Sequence, residues 1–295
     1  MSETMIELQA DEQRERVRAF FDGHRDWQGD YYSKGGAYFS HLLCRRKELI
    51  VKAIAGLSRP ARATALDIGC GSGVYTEELL RLGYATTGMD LSEEMIASCK
   101  RRFAGLPNIA PAVHLQVGDV EHLPFEDASF NLVLCVGVLG YLIDDEQAVR
   151  ELVRVVKPGG HVVINVTNAF SLSDLDTRAR AAVRALVSPP RGTAAIPPAL
   201  PYAIRSAWME RTRHYANKSY RLGRFEKFLA LHGLTRRSSF TFGFEFRLLR
   251  RFHLLPVALL DALELAMERV FMAVALPYLS RSGWGYVGVF TRTPA

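Results

Sequence analysis

Residues 66–73 read LDIGCGSG and lie between a short apolar run at 63–68 and a stretch of helical periodicity at 74–82. Glycines at alternate positions let a backbone turn tightly and approach a ligand where a Cβ would obstruct it. In doubly wound α/β sheets, nucleotide-type ligands bind at such turns, outside the carboxyl end of a strand. The stretch therefore predicts an α/β fold with a nucleotide-type site.

The rest of the chain continues the alternation of strands and helices. Further strands are predicted at 85–90, 113–117, 130–136, 161–167, 236–246 and 285–292, and helices at 11–22, 40–57, 93–104, 146–156 and 223–232. Ser92 is the expected cap of the helix at 93–104, and residues 157–160, KPGG, predict a turn. This alternation indicates βαβ units and a mainly parallel sheet.

Three carboxylates follow predicted strands and favour one type of ligand. Asp90 lies at the end of the second strand, where a carboxylate can accept both ribose hydroxyls of an adenosine. Asp119 follows the third strand and suits an adenine amino group. The dinucleotide pattern requires a third glycine at position 74, which is Val74. Asp67 would repel a pyrophosphate but attract an ammonium group, so the residues favour S-adenosylmethionine over NAD.

Four motifs resemble those of the class I S-adenosylmethionine-dependent methyltransferases. They are LDIGCGSG, GMDLSEEMI, GDVEHLPFEDASFNLVLCVGVLGYL and ELVRVVKPGGHVVI, within about residues 60–168. The small-molecule group that includes ubiquinone and menaquinone biosynthesis methyltransferases is the most similar. The resemblance implies a Rossmann-like, seven-stranded, mostly parallel sheet of order 3-2-1-4-5-7-6, with strand seven antiparallel and a helical acceptor-binding cap.

The resemblance also implies roles for individual residues. Those expected to bind the cofactor are Asp67, Gly69, Cys70, Gly71, Gly73, Asp90, Leu91, Met95, Asp119, Val120 and Cys135. The glycines and Cys135 would line the methionine part, and Asp67 would orient the loop and reach the amino group. Asp90 would hold the ribose, Leu91 and Met95 would sandwich the adenine, and Asp119 and Val120 would meet its edge. Met95 equally suits core packing.

The acceptor side carries weaker signals. Tyr32, in an aromatic loop with Tyr31, either closes over the cofactor or packs on the body of the protein. Many relatives have a histidine after strand four, where this chain reads Leu139-Gly140-Tyr141. Tyr141 is therefore one catalytic candidate, and His214 is the other, although a solvated histidine in a basic segment explains His214 as well.

Composition bounds the class of protein. The 295 residues are 48% hydrophobic and 23% charged, which is typical of a globular protein and excludes a disordered or collagen-like chain. The four cysteines lack CxxC spacing, so neither a zinc site nor a disulfide framework is expected. The polar N-terminus does not look like a secretory signal, and we expect a cytoplasmic chain that is at most peripheral to a membrane.

Charge is unevenly distributed along the sequence. Residues 1–166 carry a net charge of −5 and residues 167–255 a net charge of +11, whereas residues 256–295 are neutral. The basic segment suits an anionic substrate, an anionic membrane or nucleic acid, but no RNA-binding module or dense Lys/Arg run is present. The apolar helix predicted within 247–283 suits a lid, a homodimer contact or a membrane interface.

These observations predict four regions and one favoured function. The regions are a helical arm or lid at 1–58, a cofactor-binding core at 59–168, a basic cap insertion at 169–222 and the end of the sheet at 223–295. The favoured function is methyl transfer from S-adenosylmethionine to a small or lipid-like, anionic and hydrophobic acceptor, preferably at oxygen. An RNA or protein methyltransferase and a catalytically silent cofactor-binding module remain alternatives, and no metal is expected.

Overall fold

The computed structural model describes residues 3–23, 38–106, 113–171, 218–243 and 283–294, together with positions 259, 263, 266, 270 and 281. Its elements, in chain order, are helices α1 (Glu3–Asp22) and α2 (Tyr38–Ala55), strand β1 (Thr64–Ile68), helix α3 (Val74–Arg81), strand β2 (Ala85–Asp90), helix α4 (Glu93–Ala104), strands β3 (Val113–Val117) and β4 (Phe130–Val136), the 3-10 turn Leu139–Tyr141, helix α5 (Glu146–Val155), strand β5 (Val156–Thr167), helix α6 (Leu222–Leu231), and strands β6 (Leu234–Phe242) and β7 (Gly285–Arg292).

The seven strands form one sheet, and the predicted strand order is confirmed. The order is β3-β2-β1-β4-β5-β7-β6. Strands β1 to β5 pair in parallel, whereas β7 runs antiparallel to both β5 and β6. The direction in which the chain progresses across the sheet reverses between β1 and β4, and this reversal creates a crevice at the carboxyl ends of the strands.

Strand β4 shows how the sheet is buried on both faces. Successive side chains of a strand point to opposite faces. Val133 and Cys135 join a core cluster that includes residues of α5 and α6. Leu132, Leu134 and Val136 join a second cluster, which includes residues of α2 and α3. A strand buried on both sides is a nearly continuous apolar run, interrupted here only by Asn131, and for this reason β4 was recognisable in the sequence.

Residues 157–160, predicted as a turn before the fifth strand, lie within the span of β5, where Gly159 has a φ of 74°. Strand β5 begins at Val156, which pairs with Phe130, and the regular register resumes where His161 pairs with Leu132. Residues 157–160 therefore lie opposite the single residue Asn131 of β4 and form a bulge within the strand. Proline and glycine are common at such bulges. KPGG is therefore compatible with an interruption of strand pairing as well as with a turn.

Other predicted segments lie outside the described residues. These are most of the basic cap insertion, at 172–217, and most of the apolar segment within 247–283. The division into four regions therefore remains a prediction. Within the described part of the chain, no helix is long and apolar enough to cross a membrane.

Candidate functional site

The glycine-rich turn connects β1 to α3 and is held by backbone hydrogen bonds. The N–H of Cys70 donates to the carbonyl of Met89 at 3.0 Å, and the N–H of Gly73 donates to the carbonyl of Cys70 at 2.9 Å. A Cβ placed on Gly71 would find no atom within 4 Å. The Ser72 hydroxyl is buried and has no hydrogen-bond partner among the described residues. The turn thus has an open side at Gly71 and an unused polar group beside it.

Asp90 links this turn to the end of β2. One carboxylate oxygen accepts from the N–H of Gly71 at 2.8 Å, and the other accepts from the N–H of Ser92 at 2.9 Å. Burial raises the pKa of Asp90, and backbone hydrogen bonds from Ser92, Gly71 and Leu91 oppose that rise. An ionised carboxylate has about four acceptor positions. Asp90 therefore keeps acceptor capacity for a ligand hydroxyl after it has fixed the turn.

Asp67 lies behind the turn and is 1% exposed. Its carboxylate accepts a hydrogen bond of 2.6 Å from the hydroxyl of Thr76, in the first turn of α3. Burial raises the pKa of Asp67 to about 7, the bond from Thr76 lowers it, and the nearby charge of Asp90 raises it further. Asp67 therefore connects β1 to α3 beneath the glycines, which suits its predicted role in orienting the loop.

The residues predicted to surround an adenine lie at the ends of β2 and β3. Ser92 caps α4 as predicted, since its hydroxyl accepts from the N–H of Met95. Met95 and Val120 are buried, and Leu91 is half-buried. The carboxylate of Asp119 lies 2.8 Å from Nε of Arg14 and also accepts from the N–H of Glu121. The adenine contacts of these residues remain predictions.

Helix α1 crosses the three loops that follow β2, β3 and β4. Asp22 accepts a 2.5 Å hydrogen bond from the Ser92 hydroxyl, and Arg14 pairs with Glu121 at 2.9 Å. Gln13 donates to the carbonyl of Tyr141 at 2.8 Å. Tyr31 and Tyr32, predicted either to close over the cofactor or to pack on the body of the protein, both lie outside the described residues. Sequence reasoning missed these polar side chains of α1, which the sequence alone does not distinguish from the solvated face of a helix.

Arg46, on α2, is a second residue that sequence reasoning missed. Its Nη1 donates to Oδ1 of Asn165, on β5, at 3.1 Å. A Cβ placed on Gly137, which follows β4, would lie 3.6 Å from the same nitrogen. A positive charge therefore lies beside the carboxyl ends of β4 and β5. The run Arg45-Arg46-Lys47 was the available signal, but a helix commonly carries such residues on its exposed face.

The remaining candidates are placed as follows. Cys135 is fully buried at the end of β4, and burial raises the pKa of its thiol. The ring of Tyr141 packs edge-on against Phe21 of α1, with centroids 5.7 Å apart. His214 lies outside the described residues. Within the described ranges, no three histidines, cysteines or carboxylates are grouped as metal ligands.

Comparison with known proteins identifies the class of this site. Residues 66–164 match the family described as "Methyltransferase domain". The matched range contains the glycine turn, Asp90, Asp119 and the turn that carries Tyr141. The chain therefore contains a methyltransferase domain, as the resemblance implied.

Individual relatives share this domain rather than the whole chain. The chain is 37% identical over 114 residues to a malonyl-[acyl-carrier protein] O-methyltransferase of Erwinia billingiae, a match of 37% of this chain and 41% of that protein. It is 34% identical over 121 residues to a ubiquinone biosynthesis O-methyltransferase of Xanthomonas axonopodis, covering 39% of this chain and 48% of the relative. The chain thus spans less than half the length of these relatives.

A solved structure extends the similarity of fold to nearly the whole chain. Magnesium protoporphyrin IX methyltransferase from Synechocystis, crystallised with bound SAH, superposes with a TM-score of 0.61 at 13% identity. The superposition covers 95% of this chain and 100% of that one. At this identity the comparison supports the fold alone.

Proposed function

We propose that the chain transfers a methyl group from S-adenosylmethionine to a small or lipid-like, hydrophobic and anionic acceptor, with oxygen as the preferred methylated atom. The observation that carries the choice of cofactor is the pair of carboxylates beside the glycine turn, of which Asp67 is buried and Asp90 is half-buried. Asp67 and Asp90 both have raised pKa values because burial penalises their charge. Such a pair favours a cationic ligand and opposes a pyrophosphate.

The described residues fit the parts of S-adenosylmethionine. Asp90 retains acceptor capacity for the ribose hydroxyls, and the missing Cβ of Gly71 leaves room for the ligand. The carboxylates suit the ammonium and sulfonium charges. Arg46 supplies a positive charge for the carboxylate of the methionine part. When bound, the cofactor supplies a methyl group that its sulfonium has already activated.

The protein would contribute mainly by positioning. Holding an acceptor at attack distance from an activated group removes much of the entropic cost of the reaction. The glycine turn and Asp90 fix one partner, and the turn Leu139–Tyr141 borders the place where the other would enter. A hydroxyl acceptor also needs a group that takes its proton, and Tyr141 and His214 remain the candidates.

The acceptor class rests on two further observations. Both relatives named above are O-methyltransferases, which favours oxygen over nitrogen or carbon. The net charge of +11 over residues 167–255 favours an anionic molecule. An anion with apolar surface would use both this segment and the apolar one that follows it.

The first test is calorimetric titration with S-adenosylhomocysteine, with NAD as the control. Binding of S-adenosylhomocysteine alone supports the cofactor, whereas binding of NAD alone overturns it. Release of S-adenosylhomocysteine from S-adenosylmethionine is then measured with an alkyl catechol, an alkyl phenol, a medium-chain carboxylic acid, bulk RNA and a protein mixture. Turnover with RNA or protein alone would reject the acceptor class, and binding without any turnover would favour the silent module.

A further inference from the structure

Three consecutive carbonyls of the turn Leu139–Tyr141 are bound by donors distant in sequence. The carbonyl of Leu139 accepts from the Tyr220 hydroxyl at 2.9 Å, and that of Gly140 accepts from the N–H of Lys218 at 2.7 Å. The carbonyl of Tyr141 accepts from Gln13 at 2.8 Å. A short 3-10 turn has poor internal hydrogen-bond geometry. Its conformation is therefore set largely by α1 on one side and by residues 218–220 on the other.

A half-buried carboxylate, that of Asp145, fastens residues 218–220 to the same loop. Asp145 lies 2.6 Å from Nζ of Lys218 and 3.0 Å from the Tyr220 hydroxyl. The Tyr220 side chain is buried, and Nζ of Lys218 also donates to the carbonyl of Ile143 at 3.2 Å. Charge-assisted hydrogen bonds of this kind are stronger than neutral ones. We call Asp145, Lys218 and Tyr220 the clasp.

The clasp also joins the end of β5. The N–H of Tyr220 donates to the carbonyl of Thr167 at 2.8 Å, and the N–H of Ala169 donates to the carbonyl of Tyr220 at 2.9 Å. Asn168 and Tyr220 form a parallel bridge. Residues 218–220 thus tie the loop after β4 to the loop after β5. They directly follow the segment 172–217 in the sequence.

The position of the clasp relates it to the acceptor rather than to the cofactor. The glycine turn, Asp90 and Asp119 follow β1, β2 and β3, on one side of the crevice where the sheet reverses. The loops after β4 and β5 form the other side. The methionine part would extend from the glycine turn towards Arg46, beside the ends of β4 and β5, so an acceptor that meets its methyl group would border this second side.

We propose that Tyr220, oriented by Asp145 and Lys218, is a positioning residue for the acceptor half of the site. Its hydroxyl fixes the turn Leu139–Tyr141 from the side opposite α1 and so sets where Tyr141 lies. The proposal rests on the proposed function, because it takes the second side of the crevice to be the acceptor side. It does not require Tyr220 to touch the acceptor.

The test compares Tyr220→Phe with Tyr286→Phe. Tyr286 is a matched control, because it is also buried and its hydroxyl donates to a carboxylate, that of Glu226, at 2.6 Å. Hydrogen exchange is followed at the N–H groups of Tyr141 and Leu142, which donate to the carbonyls of Val138 and Leu139. Tyr220→Phe should speed their exchange at least tenfold beyond Tyr286→Phe, whereas both variants should lower the melting temperature similarly. Equal exchange in the two variants would overturn the proposal.

Comparing kcat/KM for the acceptor with the Kd for S-adenosylhomocysteine separates a positioning role of Tyr220 from a general loss of stability. With whichever catechol, phenol or carboxylic acid turns over, Tyr220→Phe should lower kcat/KM for the acceptor at least tenfold. The Kd for S-adenosylhomocysteine should stay within threefold of the parent value. A loss confined to cofactor binding, or an equal loss in Tyr286→Phe, would refute the assignment. If S-adenosylhomocysteine does not bind the parent protein, the proposed function fails, and the exchange experiment still decides whether Tyr220 fixes the turn.

Discussion

The carboxylate of Asp90 accepts a 2.8 Å hydrogen bond from the backbone N–H of Gly71, so the end of β2 and the open side of the glycine turn form one unit. We expect Asp90→Ala to weaken binding of S-adenosylhomocysteine by about 1.5–3 kcal/mol, which is typical of lost hydrogen bonds to a charged group. Calorimetric titration of the two proteins measures the difference directly.

The matched control for this substitution is Asp127→Ala. The side chain of Asp127 is 77% exposed and pairs with Arg154, away from the glycine turn. This variant removes a carboxylate of the same size and should leave the Kd unchanged. If Asp90→Ala also binds with an unchanged Kd, Asp90 does not hold the ribose.

The raised pKa of Asp67 predicts that cofactor affinity depends on pH. Burial raises the pKa of Asp67 to about 7, so the carboxyl is partly protonated in the free protein near neutral pH. A cationic ammonium favours the ionised form, and binding should therefore release a proton. The affinity for S-adenosylhomocysteine should increase as the pH rises towards 7 and level off above it. Calorimetry in buffers of different ionisation enthalpy measures both the affinity and the proton release.

Two variants examine whether Asp67 is the titrating group. Asp67→Asn should remove most of the pH dependence, because the side chain no longer ionises. Thr76→Val removes the 2.6 Å hydrogen bond that lowers the pKa of Asp67, so it should move the plateau to a higher pH. An affinity that falls with rising pH in the parent protein would contradict the proposed contact between Asp67 and a cation.

The fold and the carboxylates of the site were predictable because each depends on local sequence. Strands β2, β3, β4 and β7 have the predicted bounds, since each is a short run between clear turn signals. Asp90 could be assigned because its place at the end of a strand follows from the strand itself. The place of residues 157–160 was not predictable from local sequence, because whether KPGG precedes the fifth strand or bulges within it depends on pairing with β4.

The residues missed by the sequence are those whose position depends on tertiary packing. Arg46 reaches Asn165 across 119 positions of sequence, and Gln13 reaches Tyr141 across 128. Nothing local distinguishes these side chains from solvated ones on an amphipathic helix. The clasp was missed for the same reason, since Asp145 and Tyr220 meet only when residues 218–220 return to the sheet.

Substituting alanine at Gly73 should mainly affect folding, whereas substituting alanine at Gly71 should mainly affect ligand binding. A Cβ on Gly73 would lie 2.5 Å from the sulfur of the buried Cys99, at a φ of 83°. Gly73→Ala should destabilise the protein by about 1–2 kcal/mol for the left-handed backbone and by a further ~1–3 kcal/mol for overpacking. Gly71→Ala bears only the backbone cost, because its Cβ would meet no protein atom within 4 Å.

The same Cβ on Gly71 would occupy the space assigned to the ligand. Gly71→Ala should therefore lose much of its affinity for S-adenosylhomocysteine while it unfolds at higher denaturant than Gly73→Ala. Urea unfolding and calorimetry on the two variants separate the effects. Retention of full affinity in Gly71→Ala would place the cofactor away from this turn.

The role of Arg46 can be tested with two ligands that differ only in the part that Arg46 is proposed to contact. If its guanidinium faces the carboxylate of the methionine part, Arg46→Met should weaken S-adenosylhomocysteine by about 1.5–3 kcal/mol. The variant keeps a long apolar side chain on α2, so the loss should come from the charge. 5′-Methylthioadenosine has the same nucleoside but no amino-acid part, and its Kd should be the same for both proteins. Titrating each protein with each ligand gives a thermodynamic cycle. Its coupling free energy reports the contact between Arg46 and the carboxylate, because the effects common to both ligands cancel. Equal weakening of both ligands would show that Arg46 acts through the structure around Asn165, whereas no weakening of either would remove Arg46 from the site.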